Sequence, residues 1–298
     1  MPAPWPEALL PRCTFPPPGT EVDCAVSGGA DSLALLVLAA AAGCRVTAVH
    51  VDHCLRPGSA AEADVVRAAA DRFGARFSAV RARVEPGPNL EARARAARLG
   101  ALPPGALTGH TADDQAETVL LNLLRGAGLD GLAGMGPDRH PILGLRRSET
   151  AALCAALGLD PVVDPSNADP AARRNRVRAE VLPLLADVAG RDVVPLLART
   201  AALVRDDAAW LAAAAGALDP TDARALAAAP LPLARAAVRA WLRQDGGERH
   251  PPDAAAVDRV LAVARGEARA AEVGGGRRVA RAAGRLRLAG DLTPPARR

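Results

Sequence analysis

The segment VDCAVSGGADSLALLVLAAAA, Val22 to Ala42, decides the reading of this chain. A short apolar run, Val22–Val26, passes directly into Ser27-Gly28-Gly29-Ala30-Asp31-Ser32, and a helix candidate, Ser32–Ala42, follows. The pattern is strand, turn, helix. Two glycines let the backbone approach an anion closely, the helix N-terminus presents unpaired N–H groups, and Ser27 and Ser32 add hydroxyl donors. The turn therefore reads as a phosphate cradle. It lacks the Gly-Lys-Ser/Thr ending of a Walker loop. Asp31 would repel a phosphate on its own, so a bridging Mg2+ is the economical explanation for a carboxylate inside the loop. The plainer alternative is a glycine turn whose serine and aspartate cap the helix.

Outward from this segment, short apolar runs keep alternating with helical patterns. Further strands are expected at Arg45–Val51, Arg76–Val84 and Ala106–Gly109, with helices at Ala60–Phe73, at Leu90–Leu99 and from near Asp114 to Leu124. Such alternation predicts an α/β fold with a doubly wound parallel sheet, whose ligand crevice lies at the strand C-termini where the strand order reverses. After Pro165 the periodicity turns helical, with candidates at Arg173–Leu185, Val193–Ala215, Thr221–Ala229, Leu233–Arg243 and Asp253–Arg265. From Val273, three glycines and an alternating run to Leu288 predict one small hairpin. The domains expected are a Pro-rich extension (1–19), a nucleotide-binding catalytic domain (20–195), and a helical linker with a smaller, mainly helical C-terminal domain (196–298).

Composition narrows the class. The 298 residues are half hydrophobic, enough for a large core. Lysine and tyrosine are missing and Ile142 is the one isoleucine, a drift of the whole composition rather than a functional signal. Charge is uneven: 15 arginines face 18 acids up to residue 164, and 22 face 15 beyond it, so the second half suits a polyanion. Five cysteines without a CxxC pair indicate neither a disulfide framework nor a four-thiolate metal site. Prolines interrupt any leader-like start, and the longest apolar run, Leu33–Ala42, is half of the roughly 20 residues a membrane span needs. A soluble cytoplasmic protein is expected.

Four further strings carry chemistry. Val51-Asp52-His53-Cys54-Leu55-Arg56 follows the second strand, and Asn89-Leu90-Glu91 precedes Arg95 and Arg98 on the third helix. Thr108-Gly109-His110-Thr111-Ala112-Asp113-Asp114-Gln115-Ala116-Glu117-Thr118 follows the fourth strand. Asp164-Pro165-Ser166-Asn167 leads to Arg174-Asn175-Arg176-Val177-Arg178. Asp114 and Glu117 stand three apart on one helix face, an arrangement that suits an ammonium; favourable placement of acids in a first helical turn is the alternative. Arg95 and Arg98 also share a face and suit phosphates, unless they are a solvated surface. Arg174 and Arg178, at i and i+4, suit RNA or nucleotide phosphate, the alternative being a helix start paired with Glu180 and Asp187. His53 and His110 lack metal-ligand spacing and are expected to line the crevice.

Together with the SGGADS loop, and over about residues 20–185, these strings resemble the tRNA(Ile)-lysidine synthase family of PP-loop ATP pyrophosphatases. The resemblance implies a ligase that uses ATP and Mg2+ to adenylate the C2 carbonyl oxygen of the wobble cytidine in the CAU anticodon of tRNA(Ile). The amine of free L-lysine then displaces AMP. It implies ATP binding at Ser27, Gly28, Gly29, Ala30, Asp31 and Ser32 with His53 and His110. It also implies Mg2+ on Asp31, catalytic roles for Asp31, Arg95, Asp114 and Glu117, lysine on Asp114 and Glu117, and tRNA phosphates on Arg174, Asn175, Arg176 and Arg178. Two positions depart from the family's pattern: Arg98-Leu99 replaces Arg-Tyr, and His140-Pro141-Ile142-Leu143 stands where Arg-Pro-Leu-Leu is usual. A second C-terminal domain of longer relatives is not expected. Another PP-loop tRNA-modifying enzyme and a non-catalytic nucleotide-binding module are the rival readings; a sulfur-transferring thiolase would need a reactive cysteine set.

Overall fold

A computed structural model of the chain describes residues 5–52, 59–82, 93, 97, 100–163, 169–244 and 252–290. It divides into two compact units, Met1–Arg205 and Asp206–Arg298. In the first, β1 (Glu21–Ala25), β2 (Arg45–Asp52), β3 (Arg76–Arg81) and β4 (Leu107–Thr108) form a parallel sheet in the order β3-β2-β1-β4. The chain steps outward from β1 to β3 and then crosses to the other side of β1, so the order reverses between β1 and β4. Such a reversal opens a crevice at the strand C-termini.

Helix α1 (Ala30–Ala41) follows β1, and every residue from Ser32 to Ala39 is buried. An apolar surface all round a helix demands cover on every side. The sheet supplies one side and α4 (Arg147–Ala156) another, through a core that includes Leu33, Leu36, Ile142, Leu145 and Leu153. Helix α2 (Ser59–Arg72) adds Val66, Ala69 and Ala70 to it. A separate cluster of Val49, Leu102 and Ala106 packs with Ala25, Val51 and Val80.

Helix α3 (Ala112–Leu124) begins two residues before the expected start, because Thr111 and Asp114 form a capping box around its first turn. The expected helix Arg173–Leu185 is instead a turn of α-helix (Arg173–Arg176), a π-helical turn (Val177–Val181) and a helix (Leu182–Ala189) closed by Gly190. Helix α4 was not foreseen. His53, Arg95, Arg98 and Asp164–Asn167 lie outside the described residues, as does nearly all of the expected helix Leu90–Leu99.

Helix α5 (Val194–Gly216) carries the division between the units. The second unit contains α6 (Leu231–Gln244), α7 (Ala254–Arg265) and β5 (Ala270–Gly274), β6 (Arg277–Ala282) and β7 (Arg285–Ala289). The single hairpin expected there is an antiparallel three-strand meander, β5-β6-β7. Its first strand starts in alanines of low strand propensity, and the glycines read as its beginning form the turn between β5 and β6. The core of this unit joins Leu226, Val238, Leu242, Val260, Val279 and Leu286. No helix among the described residues is long and apolar enough to cross a membrane.

Candidate active site

The loop after β1 sits at the sheet's reversal point, and its backbone is tied on two sides. Val26 N–H donates to Val49 carbonyl (2.9 Å), and Val162 N–H donates to Gly28 carbonyl (3.0 Å). Gly28 has φ +89°, and a Cβ there would stand 3.1 Å from Val162 Cγ2. Gly29 is the N-cap of α1 and offers no side-chain acceptor; Ser32 N–H donates to the Gly29 carbonyl (3.0 Å), which leaves the N–H groups of Ala30 and Asp31 to face an anion. Ser32 Oγ donates to Gly29 carbonyl (2.8 Å), accepts Ser27 N–H (3.1 Å) and lies 3.3 Å from Ser27 Oγ. The end of β4 closes the other side. A Cβ on Gly109 would fall 2.6 Å from Asp31 carbonyl oxygen, so only glycine permits this approach.

From this loop an ionic network runs inward. Asp31 accepts a short hydrogen bond from Thr150 Oγ1, and its second oxygen lies 3.4 Å from Arg147 Nε. Arg147 Nη2 continues to Asp114 Oδ1 (3.0 Å), and Arg147 Nη1 stands 3.4 Å from Glu117 Oε1. Glu117 has 0% of its side chain exposed. It also accepts Arg174 Nε (2.6 Å) and Arg178 Nε (2.7 Å), so three guanidinium groups surround one carboxylate. Asp114 divides its two oxygens. Oδ2 accepts Thr111 N–H and Oγ1–H (both 2.9 Å), and Oδ1 receives Arg147 and Arg174.

Neighbouring groups steady the network. Asp113 binds Arg146 through both oxygens (3.1 and 3.0 Å) and accepts Arg147 N–H (2.8 Å). Gln115 is buried and clamps Met135, its amide donating to the carbonyl and its oxygen accepting the N–H. A cavity of about 220 Å³ opens beside the network, lined by Asp113, Glu117, Arg146, Arg147, Arg178 and Asp192 among others.

Acidities follow these contacts. Burial pushes Asp31 above the ordinary carboxylate value; the Thr150 bond and Arg147 oppose the shift, and the nearby charge of Asp114 adds to it. Burial alone would also raise Asp114, but Arg147, the Thr111 N–H and Arg174 outweigh it and hold the group below its usual value. In Asp113 the same contest is won by Arg146 and the Arg147 N–H. Burial, then the charge of Arg139, lowers His140, whose Nδ1 lies 3.2 Å from His110 Nδ1, with Thr108 Oγ1 within 2.7 Å of both rings.

The structure thus brings together Ser27–Ser32, Asp114, Glu117, Arg174 and Arg178. Arg176 stays outside, paired with Glu180 on the surface (2.9 and 2.8 Å), and Asn175 donates to Asp169 carbonyl (2.9 Å). Sequence reasoning missed Arg146, Arg147 and Thr150. The one signal for them was Glu149, whose carboxylate accepts Arg146 N–H (2.8 Å) at the start of α4. Among the described cysteines, Cys24 and Cys154 are buried, and burial pushes their thiols to about 12 and about 11. Such thiols are inert rather than poised for sulfur transfer.

A family model described as a PP-loop domain matches residues 12–185. The chain is 45% identical to a tRNA(Ile)-lysidine synthase of Nocardia farcinica, covering 95% of this chain and 96% of that protein. It is 46% identical to one from Salinispora tropica, covering 91% of each. Among solved structures it resembles the U34-tRNA thiolase NcsA of Methanococcus maripaludis, with a TM-score of 0.50 and 19% identity over 63% of this chain and 73% of that one. At that identity the likeness concerns the fold.

Proposed function

The chain belongs to the tRNA(Ile)-lysidine synthase family of PP-loop proteins, ligases that form a C–N bond, and we propose that it runs the two steps of that ligation on either side of Arg147. The observation that carries this reading is the reach of one guanidinium, which touches Asp31 of the phosphate loop and both Asp114 and Glu117. Adenylation followed by aminolysis requires the nucleotide and the amine side by side, and one guanidinium in reach of both groups of residues supports that arrangement.

In the first step the C2 oxygen of the wobble cytidine in a CAU anticodon attacks the α-phosphorus of ATP, and pyrophosphate leaves. The first-turn N–H groups of α1 and the hydroxyls of Ser27 and Ser32 face the phosphates, with His110 at the mouth. Arg95 and His53 keep the roles that the family resemblance implies: a further phosphate cation and a lining residue. Asp31 fits Mg2+, because a cation there would offset the like charge of Asp114 and favour the ionised carboxylate that the ion needs. Among the described residues no cluster of three or more His, Cys, Asp or Glu would hold a metal. One carboxylate with water and phosphate oxygens is the usual Mg2+ shell. When bound, Mg2+ would neutralise charge on the phosphates.

In the second step the side-chain ammonium of lysine gives a proton to the Asp114–Glu117 pair, the freed amine attacks C2, and AMP departs with the oxygen. Free lysine arrives with an ammonium of reference pKa near 10.4 and with an α-carboxylate. Glu117 and Asp114 receive the side-chain ammonium, and a guanidinium released from Glu117 finds the incoming α-carboxylate. Arg174 and Arg178 then act as positioning residues for Glu117.

The test supplies labelled lysine, ATP and transcripts of tRNA(Ile) and of the initiator tRNA, which share the anticodon. Label in the isoleucine transcript with matching AMP supports the proposal. ATP binding without turnover would favour a nucleotide-binding module, and pyrophosphate release without a lysine requirement would favour another tRNA-modifying chemistry.

A further inference from the structure

The helical stretch after Ala172 carries arginines on two faces. Arg174 and Arg178 turn inward to Glu117, whereas Arg173 and Arg176 line a cavity of about 330 Å³ together with Arg125 from the end of α3. The remaining walls are Leu121, Leu124, Val177 and Val181. Leu124 is 74% exposed, a large apolar side chain left at the rim of an arginine-bordered hollow. Its volume sits at the lower end of the roughly 300–1,000 Å³ typical of small-ligand sites. Among the described residues no ion pair holds Arg125 or Arg173; Arg125 makes one long bond to Asn122 (3.4 Å). The pair of Arg176 with Glu180 is solvent-exposed and readily exchanged for another anion.

We propose that this cavity docks one unstacked nucleotide of the RNA substrate, with the base against the Leu and Val walls and its flanking phosphates on Arg125, Arg173 and Arg176. An apolar floor alone would suit many occupants, but three cations around it select an anion that carries a flat apolar group. Single-stranded RNA presents both, and guanidinium planes stack on bases where aromatic side chains are scarce. The chain has six Phe and Trp residues in total and no tyrosine, so aliphatic and guanidinium surfaces are what it can offer a base. The inference rests on the RNA reading of the preceding subsection and adds a site outside the catalytic network.

The experiment measures binding of a fluorescent tRNA(Ile) transcript by anisotropy across a salt series, for the wild type, the double variant Arg125→Ser/Arg173→Ser, and the uncharged variant Leu124→Ser, whose exposed position leaves the fold undisturbed. Melting temperatures check that each variant is folded. Losing two phosphate contacts should lower the slope of log K against log salt by about 1.4 and weaken binding about tenfold or more. Leu124→Ser should weaken binding while the wild-type salt slope is retained. Unchanged affinity and slope in both variants, beside a wild type that binds, overturns the proposal and is the result a protein-binding surface would give. An effect of the arginine pair alone, with Leu124→Ser binding normally, also overturns it, because a flat phosphate patch needs no apolar floor. A wild type that fails to bind RNA at any salt would sink the functional reading itself.

Discussion

Arg174 and Arg178 occupy one face of a short helical stretch, Arg173 and Arg176 another, and the two pairs lead different lives. The inner pair closes on a carboxylate with no exposed side-chain surface. The outer pair borders a solvent-open hollow, and the one ion pair made there lies in water. Arginine is the same residue at all four positions; what differs is whether its partner can be rehydrated. Desolvation makes the inner contacts costly to break, whereas an exposed pair is worth little and remains available to a ligand.

The largest effect expected from this contrast is on Glu117. Replacing it by alanine leaves three guanidinium groups around an empty volume and should cost about 3 kcal/mol in urea unfolding, the lower end for breaking a buried pair because the arginines retain some exposure. Arg176→Ala should leave the same unfolding midpoint in place. Equal losses in the two variants would erase the distinction between the faces.

Asp31 should separate stability from activity. Its folded-state pKa is raised, so the ionised form is the less favourable one in the fold, and the resulting cost is present above that pKa and absent at low pH. Asp31→Asn should therefore raise the melting temperature at neutral pH while lowering turnover about 100- to 1,000-fold, the usual loss for a group that stabilises a charged transition state. A variant that melts lower than the wild type would show that Arg147 and Thr150 depend on the charge more than burial penalises it.

Asp113 and Asp114 carry the opposite sign. Both are held below the ordinary carboxylate value, so their contribution is complete above the unfolded-state pKa of about 3.9 and is lost as pH falls through the lower folded values. Acid unfolding should shift to lower stability below about pH 4, and Asp113→Asn should blunt that shift. A curve unaffected by the substitution would remove Asp113 from the account. The smallest effect belongs to the second unit, where Arg235 binds Asp258 through two bonds (2.7 and 2.9 Å) on the exposed surface. Arg235→Ala should not measurably move the unfolding midpoint; a clear loss would mean that exposed pairs here matter as much as the buried ones.

Much of the first unit was legible because its signals are local. The run Val22–Val26 and its two glycines specify strand and turn within a dozen residues, and a three-residue spacing places Asp114 and Glu117 on one face of α3. Arg147 was not legible, because its importance lies in contacts to residues 116, 33 and 30 positions away. Helical spacing set Arg174 and Arg178 on one face, while Arg176 was grouped with them for tRNA phosphates. Which face turns inward depends on the buried carboxylate of another helix, and no local pattern encodes that. The strand β5 escaped for a different reason, since alanine has weak strand preference and only its partner β6 reveals the pairing.

The claim on which the rest depends is that Glu117 serves the amine while the loop serves the nucleotide. Steady-state kinetics of Glu117→Gln, which keeps the shape and removes the charge, test it most directly. The account predicts a KM for lysine raised about 10- to 100-fold, the loss of one charged hydrogen bond, with the KM for ATP nearly unchanged. A lysine KM equal to that of the wild type, or an ATP KM rising in step with it, would contradict it.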